Sequence, residues 1–331
     1  MKVKKIIIAF LFLLFTASIL LMLDLGNRKS VSKQKLPKLA VFKMASLAVL
    51  DDAESGIIEG LKQQGFVHGK SCTIQHFTAE GDMPTANTIA QNIVSSRFDM
   101  VITISTPSLQ VMANANKEGA VTHVFCAVTD PYVAGVGITG PNPDQHPAHL
   151  VGIGTFQPVE AAFDIAKQMY PDLKKVGTVW CPSEVCSEAC LRLARTKCKD
   201  LGIELVEMSV ENTTQIYESA LSVTARGVDA LWLGGDNVIE RGIDQLINAA
   251  TKAEIPLFTN NPYNVRGNVL FGVGASYFEV GRIAGNMASE ILNGKPTSEI
   301  RVDNAMPQQL NVNAKALDNM SEQWDISKFE Q

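Results

Sequence analysis

The sequence lacks the short motifs by which many enzymes are recognised. It has no G-x-S-x-G nucleophile elbow, no H-E-x-x-H zinc motif and no Walker phosphate loop. It also has no C-x-x-C redox pair, and no block of basic residues follows residue 40. A formal net charge of −5 makes the chain a poor partner for nucleic acid. These absences disfavour an enzyme and a nucleic-acid-binding protein, and they indicate no catalytic residue, cofactor or metal.

Two further patterns are too weak to indicate a site. Residues 135–140 match the dinucleotide pattern G-x-G-x-x-G, but the Pro141-Asn142-Pro143 that follows forbids the helix that this pattern needs. His146 and His149 have H-x-x-H spacing, but no cysteine or acidic cluster is placed to complete a metal shell. We interpret this region as a surface loop.

The N-terminal segment has the layout of an export signal. A basic start is followed by a nearly unbroken apolar run, Ile6 to Leu23, and then by a polar stretch, residues 28–38, that is typical of a tether. The run has no clear cleavage site after it, and its length leaves both a cleaved signal peptide and an uncleaved anchor open. No cysteine follows it directly, so nothing marks a lipoprotein. We expect an exported protein, in the periplasm or at the outer face of the cytoplasmic membrane.

The central feature of the remaining chain is a strand that ends in a polar corner. Met100 to Ile104 is a short, β-branched run that predicts a buried parallel strand. Ser105-Thr106-Pro107-Ser108 follows and is typical of a helix N-terminus, where free N–H groups attract anions. A second strand, Val121 to Val128, ends in Thr129-Asp130 at the same predicted edge. Caps and turns without a ligand would also explain this stretch taken alone.

The same layout occurs a second time. The segment from Asp229 to Ala249 again gives an aspartate, an apolar strand, a polar corner and a helix, and Asp236 lies 130 positions after Thr106. This spacing is too long for a solenoid repeat. It predicts two α/β lobes of one design, each with a doubly wound parallel sheet, whose polar corners form a ligand cleft.

The pattern of strands and helices gives approximate domain bounds. We expect residues 1–38 to be the signal or anchor with its tether, residues 39–152 and 275–298 to form the first lobe, and residues 153–274 and 299–331 to form the second. A chain that returns to its first lobe crosses between the lobes several times, and such crossings form a hinge.

Four of the six cysteines are concentrated in one stretch, at positions 181, 186, 190 and 198. In an exported chain a disulfide is a natural expectation, most simply Cys181 with Cys186 or Cys190, because a β-α corner can bring them close. Free thiols remain the alternative.

The order of several motifs resembles the ABC transporter substrate-binding proteins of the type I periplasmic-binding fold, in particular the group associated with tryptophan and tyrosine uptake. The residues that carry the resemblance are Glu59 to Phe66 with Gly69-Lys70, Gly81-Asp82, Thr106-Pro107, Val128 to Pro131, Pro158-Val159-Glu160, Asp236-Asn237 and Gly281-Arg282. The resemblance implies two lobes that close on a ligand about a three-segment hinge. It also implies delivery of the ligand to a membrane permease that works with its own ATPase.

Carried over position by position, the family's ligand contacts fall on Thr106, Ser108, Thr129, Asp130, Asp236 and Asn237. These residues suit an amino-acid zwitterion, since hydroxyl and helix N–H groups can hold its carboxylate and Asp236 can hold its ammonium group. An aromatic side chain would need flat apolar walls, and the candidates for these are Phe125, Phe156, Trp180, Tyr263 and Tyr277.

The chain departs from the family pattern along the expected cleft. A His-Pro-type loop is replaced by Ser46-Leu47-Ala48, and an Asp is replaced in Asn260-Asn261. Where the family tends to show N-P-G-E-x-N-S, residues 181–187 have Cys181 and Cys186 in place of both asparagines. We include Ser46, Asn261 and Tyr263 among the candidate ligand-binding residues.

The sequence thus predicts a monomeric binding protein for a small polar solute, most simply an amino acid and in particular an aromatic one. Two other functions fit the same fold. One is a ligand-sensing ectodomain that informs a signalling partner, and the other, less favoured, is an enzyme on the same scaffold.

Overall fold

A computed structural model of the chain describes residue 4, residues 10–20 and residues 36–329. The chain divides into two units, Met1–Leu36 and Pro37–Gln331. In the first unit residues 10–20 are helical, and the rest of the predicted signal or anchor lies outside the described residues. Among the described helices, none combines the length and the apolar character needed to cross a bilayer.

The larger unit contains two β-sheets, and its strands and helices are numbered here along the chain. The first sheet is built from β1 (Lys38–Lys43), β2 (Thr73–Thr78), β3 (Met100–Ile104), β4 (Thr122–Val128), β5 (Leu150–Gly154) and β11 (Asp303–Asn304). Its helices are α1 (Ala48–Gln63), α2 (Met83–Ser95), α3 (Thr106–Ala115) and α9 (Tyr277–Leu292). Every residue of β3 is buried, as its apolar run predicts for a strand covered on both faces.

The second sheet has the same number of strands. They are β6 (Lys175–Trp180), β7 (Glu204–Ser209), β8 (Ala230–Leu233), β9 (Leu257–Thr259), β10 (Val269–Ala275) and β12 (Gln308–Val312). The accompanying helices are α4 (Val159–Met169), α5 (Val185–Leu201), α6 (Ile216–Thr224), α7 (Asn237–Arg241) and α8 (Ile243–Lys252).

The two sheets have one topology. Their strand orders are β11-β5-β4-β3-β1-β2 and β12-β10-β9-β8-β6-β7, so each strand of the first sheet has a counterpart in the second. Asp99 and Asp229 occupy matching positions, because each carboxylate accepts a backbone N–H at the start of the neighbouring strand, from Lys38 and from Lys175. The predicted pair of α/β lobes is confirmed. The strands pair in parallel, apart from β12, which lies antiparallel to β10.

The chain crosses between the two sheets three times. The crossings follow β5, β10 and β11, and they lead to α4, α9 and β12. One predicted boundary differs from the structure, since β11 belongs to the first sheet and not to the second lobe. Val302 is buried in the core of the first lobe, and the next two residues, Asp303 and Asn304, pair with β5.

Close packing of two helices sets the shape of the first lobe at its cleft side. A Cβ atom at Gly281 of α9 would lie 1.9 Å from the carbonyl oxygen of Ala53, and one at Gly56 of α1 would lie 2.0 Å from that of Phe278. Only glycine permits such an approach of two backbones. Because both helices begin at the cleft, their contact fixes the residues that each presents there.

Candidate ligand-binding cleft

A cavity lies where the polar corners of the two lobes meet. The empty space there is about 440 Å³ when the open mouth of the cavity is included. The residues lining it come from both lobes and from the crossings: Leu47, Val49, Leu50, Ser105, Thr106, Ala127, Thr129, Gln157, Cys186, Gly235, Asp236, Asn237, Glu240, Asn261 and Tyr277. Thr106 and Asp236 therefore face one space, as the duplicated motif predicts.

The first lobe contributes the N-terminus of α3. Ser105 precedes this helix with φ of 95° and ψ of 156°, a conformation that non-glycine residues rarely adopt, and within residues 36–329 no side chain caps the helix. The hydroxyl of Thr106 is buried and has no hydrogen-bond partner among the described residues. A buried hydroxyl of this kind is costly unless something pairs with it. This end of the cavity can therefore accept a carboxylate.

The strand after α3 is also shaped toward the cavity. The pairing of β4 with β5 shifts between Phe125 and Val128, and Ala127 between them has φ of 54°. Such an irregularity redirects the end of a strand. It places Ala127 and Thr129 on the cavity wall.

The second lobe contributes the buried carboxylate of Asp236, which begins helix α7. One oxygen accepts the N–H groups of Val238 and Ile239 at 2.9 and 3.0 Å, and the other accepts the N–H of Cys181 at 2.7 Å. Burial, with the charge of Glu184 nearby, raises the pKa of Asp236 to about 6. Asp236 thus ties β6 to α7 while it faces the ligand space.

Glu240 adds a second carboxylate to the same end, one helical turn after Asp236. Its Oε2 atom accepts hydrogen bonds from the side-chain amides of Asn261 and Asn264. Burial raises the pKa of Glu240 to about 7, and the nearby charge of Asp236 adds to the shift. The cavity therefore has an acidic end made by one helix.

A polar network supports this end. Oε2 of Glu184 accepts the side-chain amide of Asn237 at 2.7 Å and the thiol of Cys186 at 3.1 Å. The backbone N–H of Asn237 is 3.2 Å from the same oxygen. This network holds Asn237 and Cys186 against the cavity.

The crossings contribute one aromatic residue and one amide. Tyr277 begins α9, and its hydroxyl accepts the side-chain amide of Gln157 at 3.3 Å. Burial raises the pKa of Tyr277, so the phenol stays neutral. With Leu50 from α1, the ring of Tyr277 gives the cavity part of its apolar wall.

Of the candidate ligand-binding residues, Thr106, Thr129, Asp236, Asn237 and Asn261 line the cavity, and four others do not. Ser46 is exposed and donates to Glu80 at 3.0 Å. The hydroxyl of Ser108 is turned back onto the carbonyl of Ile104 in its own helix corner. Asp130 accepts the N–H of Tyr132 at 3.1 Å.

Tyr263, the fourth, lies beside the cavity and hydrogen-bonds Asp52 of α1. Its ring is edge-on to that of Tyr277, with 6.4 Å between centroids. Tyr277 is the aromatic candidate that lines the cavity. Phe125, by contrast, is fully buried in the core of the first lobe.

The six cysteines are all free and buried, so the predicted disulfide of Cys181 with Cys186 or Cys190 is not formed. Each of these thiols has a polar neighbour of its own. Cys181 lies 3.0 Å from the hydroxyl of Ser183, Cys186 bonds Glu184, and Cys190 accepts the N–H of Gly235 at 3.4 Å. Those contacts hold the three sulfur atoms in separate environments.

Sequence reasoning missed most of the apolar wall and the second carboxylate. Leu47, Val49, Leu50, Ser105, Ala127, Gln157, Gly235 and Glu240 line the cavity without having been predicted to do so. Glu240 carried a usable signal, since a residue four positions after Asp236 faces the same side of a helix.

The two lobes touch each other around the cavity. Tyr263 of the second lobe donates to Asp52 of the first, and Arg192 of α5 lies 3.7 Å from Asp130. These contacts indicate a closed arrangement of the lobes. Two matching α/β lobes, three crossings and a cavity between them define a binding protein of the type I periplasmic-binding class.

Comparison with known proteins gives the family. The model of the ABC transporter substrate binding protein family matches residues 38–325, and the chain belongs to that family. The predicted class, a substrate-binding protein and not an enzyme, is thereby confirmed.

Several relatives are similar over most of their length. A tyrosine-binding protein of Clostridioides difficile strain R20291 is 28% identical over 306 residues, or 92% of this chain and 87% of the relative. An ABC domain in complex with L-Trp, from Streptococcus pneumonia, is 23% identical with a TM-score of 0.79, covering 86% of this chain and 94% of that one. A substrate binding protein with adhesive properties, from Clostridium difficile, was solved in a ligand-free, open form. It is 26% identical with a TM-score of 0.65, covering 87% of this chain and 96% of that one.

The chain superposes better on the L-Trp complex than on the open structure, although its identity to the open structure is slightly higher.

Proposed function

We propose that this protein captures an amino acid, in particular an aromatic one, in the cavity between its lobes and delivers it to the membrane permease of an ABC importer. The observation that carries the proposal is the polarity of the cavity. One end has an uncapped helix N-terminus with the free hydroxyl of Thr106, and the other end has two carboxylates.

This polarity suits a zwitterion. The N–H groups and hydroxyl at the start of α3 are donors for a carboxylate, and Asp236 and Glu240 are acceptors for an ammonium group. None of the side chains lining the cavity, among residues 36–329, is positively charged, so no lining side chain competes with a ligand's ammonium group at the acidic end. A ligand that spans the cavity would link the two lobes.

An aromatic side chain is supported by the walls and by the relatives. Leu47, Val49, Leu50 and Tyr277 form an apolar surface beside the polar ends. The similar protein of Clostridioides difficile is named for tyrosine, and a structural neighbour binds L-Trp. These likenesses support tyrosine or tryptophan as the first ligands to test.

Transport would depend on closure of the lobes about the three crossings. A ligand that contacts both lobes binds the closed form better and raises its population. The closed form would then dock on the permease, whose ATPase drives import. We propose that the protein acts as an exported monomer at the outer face of the membrane, either released or held by its N-terminal segment.

A binding screen tests the proposal directly. The full chain is titrated by calorimetry with L-tyrosine, L-tryptophan, L-phenylalanine, L-leucine and myo-inositol, and thermal unfolding is followed in parallel. A cognate ligand at 100 times its Kd should stabilise the fold by about 2.7 kcal/mol. Binding of inositol with no response to any amino acid would contradict the proposal.

A further inference from the structure

The two carboxylates at the acidic end of the cavity are not equivalent. Both oxygens of Asp236 already accept backbone N–H groups, one from Cys181 and the other from Val238 and Ile239. These bonds hold the start of α7 against the end of β6. The carboxylate of Asp236 therefore stabilises the local fold, and these bonds use most of its hydrogen-bonding capacity.

Glu240 is bonded on one side only. The side-chain amides of Asn261 and Asn264 both donate to Oε2, whereas no residue of the described chain donates to Oε1. As a residue Glu240 is only partly buried, and it lines the cavity. An ionised carboxylate can accept about four hydrogen bonds, so Oε1 keeps its capacity for a ligand.

The opposite end of the cavity provides independent evidence for a ligand. The hydroxyl of Thr106 is buried, lines the same cavity and has no partner within residues 36–329. The cavity thus offers a free acceptor on the second lobe and a free donor on the first. A molecule with a cationic and an anionic group would satisfy both.

We infer that Oε1 of Glu240 makes the direct contact with the ammonium group of the ligand. Asp236 positions α7 and adds negative charge to the same end of the cavity without being the direct contact. The inference deepens the proposed function and rests on it, because it assigns one contact in the same cavity. It also replaces the sequence-based expectation that Asp236 holds the ammonium group. Glu240 is then the residue that selects amine-bearing ligands over their deaminated analogues.

Two isosteric variants of the full chain, Glu240→Gln and Asp236→Asn, separate these roles. Ligands are tested in matched pairs by calorimetry: L-tryptophan with indole-3-propionate, and L-tyrosine with 3-(4-hydroxyphenyl)propionate. Tryptamine and tyramine, which have the amine but no carboxylate, complete the set. Thermal unfolding of each variant reports on its fold.

Glu240→Gln should weaken binding of the amino acid by about 30-fold and leave that of its deaminated partner unchanged. The glutamine can still accept from Asn261 and Asn264, so its unfolding temperature should stay close to that of the parent. Asp236→Asn should lower the unfolding temperature more and change the preference for the amine less.

The outcomes separate the inference from the function on which it rests. Equal affinity of the parent and Glu240→Gln for the amino acid, or a larger loss of amine preference in Asp236→Asn, would overturn the inference while leaving an amino-acid-binding protein. Binding of the two amines without any amino acid, lost in Glu240→Gln, would support the Glu240 contact but overturn the proposed function. A parent chain that binds none of the six compounds would overturn both.

Discussion

The two lobes have the same topology but present different chemistry to the cavity that they share. On the first lobe, α3 presents Thr106 and an uncapped helix N-terminus. On the second lobe, the matching corner presents Asp236 and Glu240 on the short helix α7. A helix N-terminus favours negative charge, and Asp236 occupies the one on the second lobe with its own carboxylate. One duplicated corner is thus open to an anion and the other is already filled by one.

This contrast shows how a repeat can make an asymmetric site. Both corners follow a buried strand and begin a helix, at positions 130 residues apart. Asp236 caps the helix at the second corner, so that corner attracts a positive charge, whereas the uncapped first corner attracts a negative charge. The ligand is then oriented as well as bound, because its two charged groups cannot exchange ends.

The strongest test of the contrast removes the cap. Asp236→Ala should cost about 2–3 kcal/mol of unfolding free energy, because three backbone N–H groups, two of them buried, lose their acceptor. Denaturant unfolding followed by circular dichroism measures this change, and Asp236→Asn, which keeps one acceptor oxygen, is the matched control. Unchanged stability in Asp236→Ala would show that these backbone groups do not depend on the carboxylate.

The acidic end should also make binding depend on pH. Burial raises the pKa of Glu240 to about 7 and that of Asp236 to about 6, and only the ionised carboxylates attract an ammonium group. Affinity for L-tryptophan should therefore fall as pH decreases below 7, by up to about tenfold per pH unit. The other ionisable groups near Glu240 are Arg266, which opposes the shift, and Tyr277, which stays neutral.

Calorimetry between pH 8 and pH 5.5 measures this dependence. In Glu240→Gln the decrease should begin about one pH unit lower, where Asp236 still titrates. An affinity for L-tryptophan that is constant over this range would show that binding is not coupled to the titration of either carboxylate between pH 8 and pH 5.5.

A smaller effect is expected at the first-lobe end. Thr106→Val removes the unpaired hydroxyl and should weaken binding of carboxylate ligands by about 1 kcal/mol, with little effect on stability. Thr155→Val is the matched control, since its hydroxyl is also buried and without a partner in the described part of the chain but does not line the cavity. Equal effects of the two substitutions on calorimetric affinity would remove Thr106 from the site.

The smallest effect concerns the contact between the lobes. Tyr263→Phe removes the hydrogen bond to Asp52 and should disfavour closure by about 0.5–1 kcal/mol. Small-angle X-ray scattering of the ligand-free protein should give a larger radius of gyration, and ligand affinity should fall by a few fold. If the same substitution in an Asp52→Ala background causes an equal loss, the contact does not couple the lobes.

Much of the fold could be predicted because it depends on local patterns. β3 has the predicted bounds, Met100 to Ile104, since a short apolar, β-branched run marks it. The duplicated corners followed from residue spacing alone. The sheet to which β11 belongs could not be predicted. This strand has only two residues, and its pairing with β5 depends on the burial of the preceding residue, Val302, in the core of the first lobe.

The polar part of the candidate site was predictable where a residue lies in a corner motif. Thr106 and Asp236 follow from their place after a strand, whereas Leu50, which was not predicted, reaches the cavity because α1 and α9 pack closely through Gly56 and Gly281. Ser108 has the right chemistry and position in sequence, but its hydroxyl is used within its own helix corner.

The sequence by itself determined the two lobes, their order along the chain and the residue types at their polar corners, because strand and helix periods act over short distances. Only the tertiary structure decided which of those side chains face the ligand and which carboxylate oxygens remain free. That decision depends on hydrogen bonds between residues far apart in sequence, such as Cys181 with Asp236 and Asn261 with Glu240.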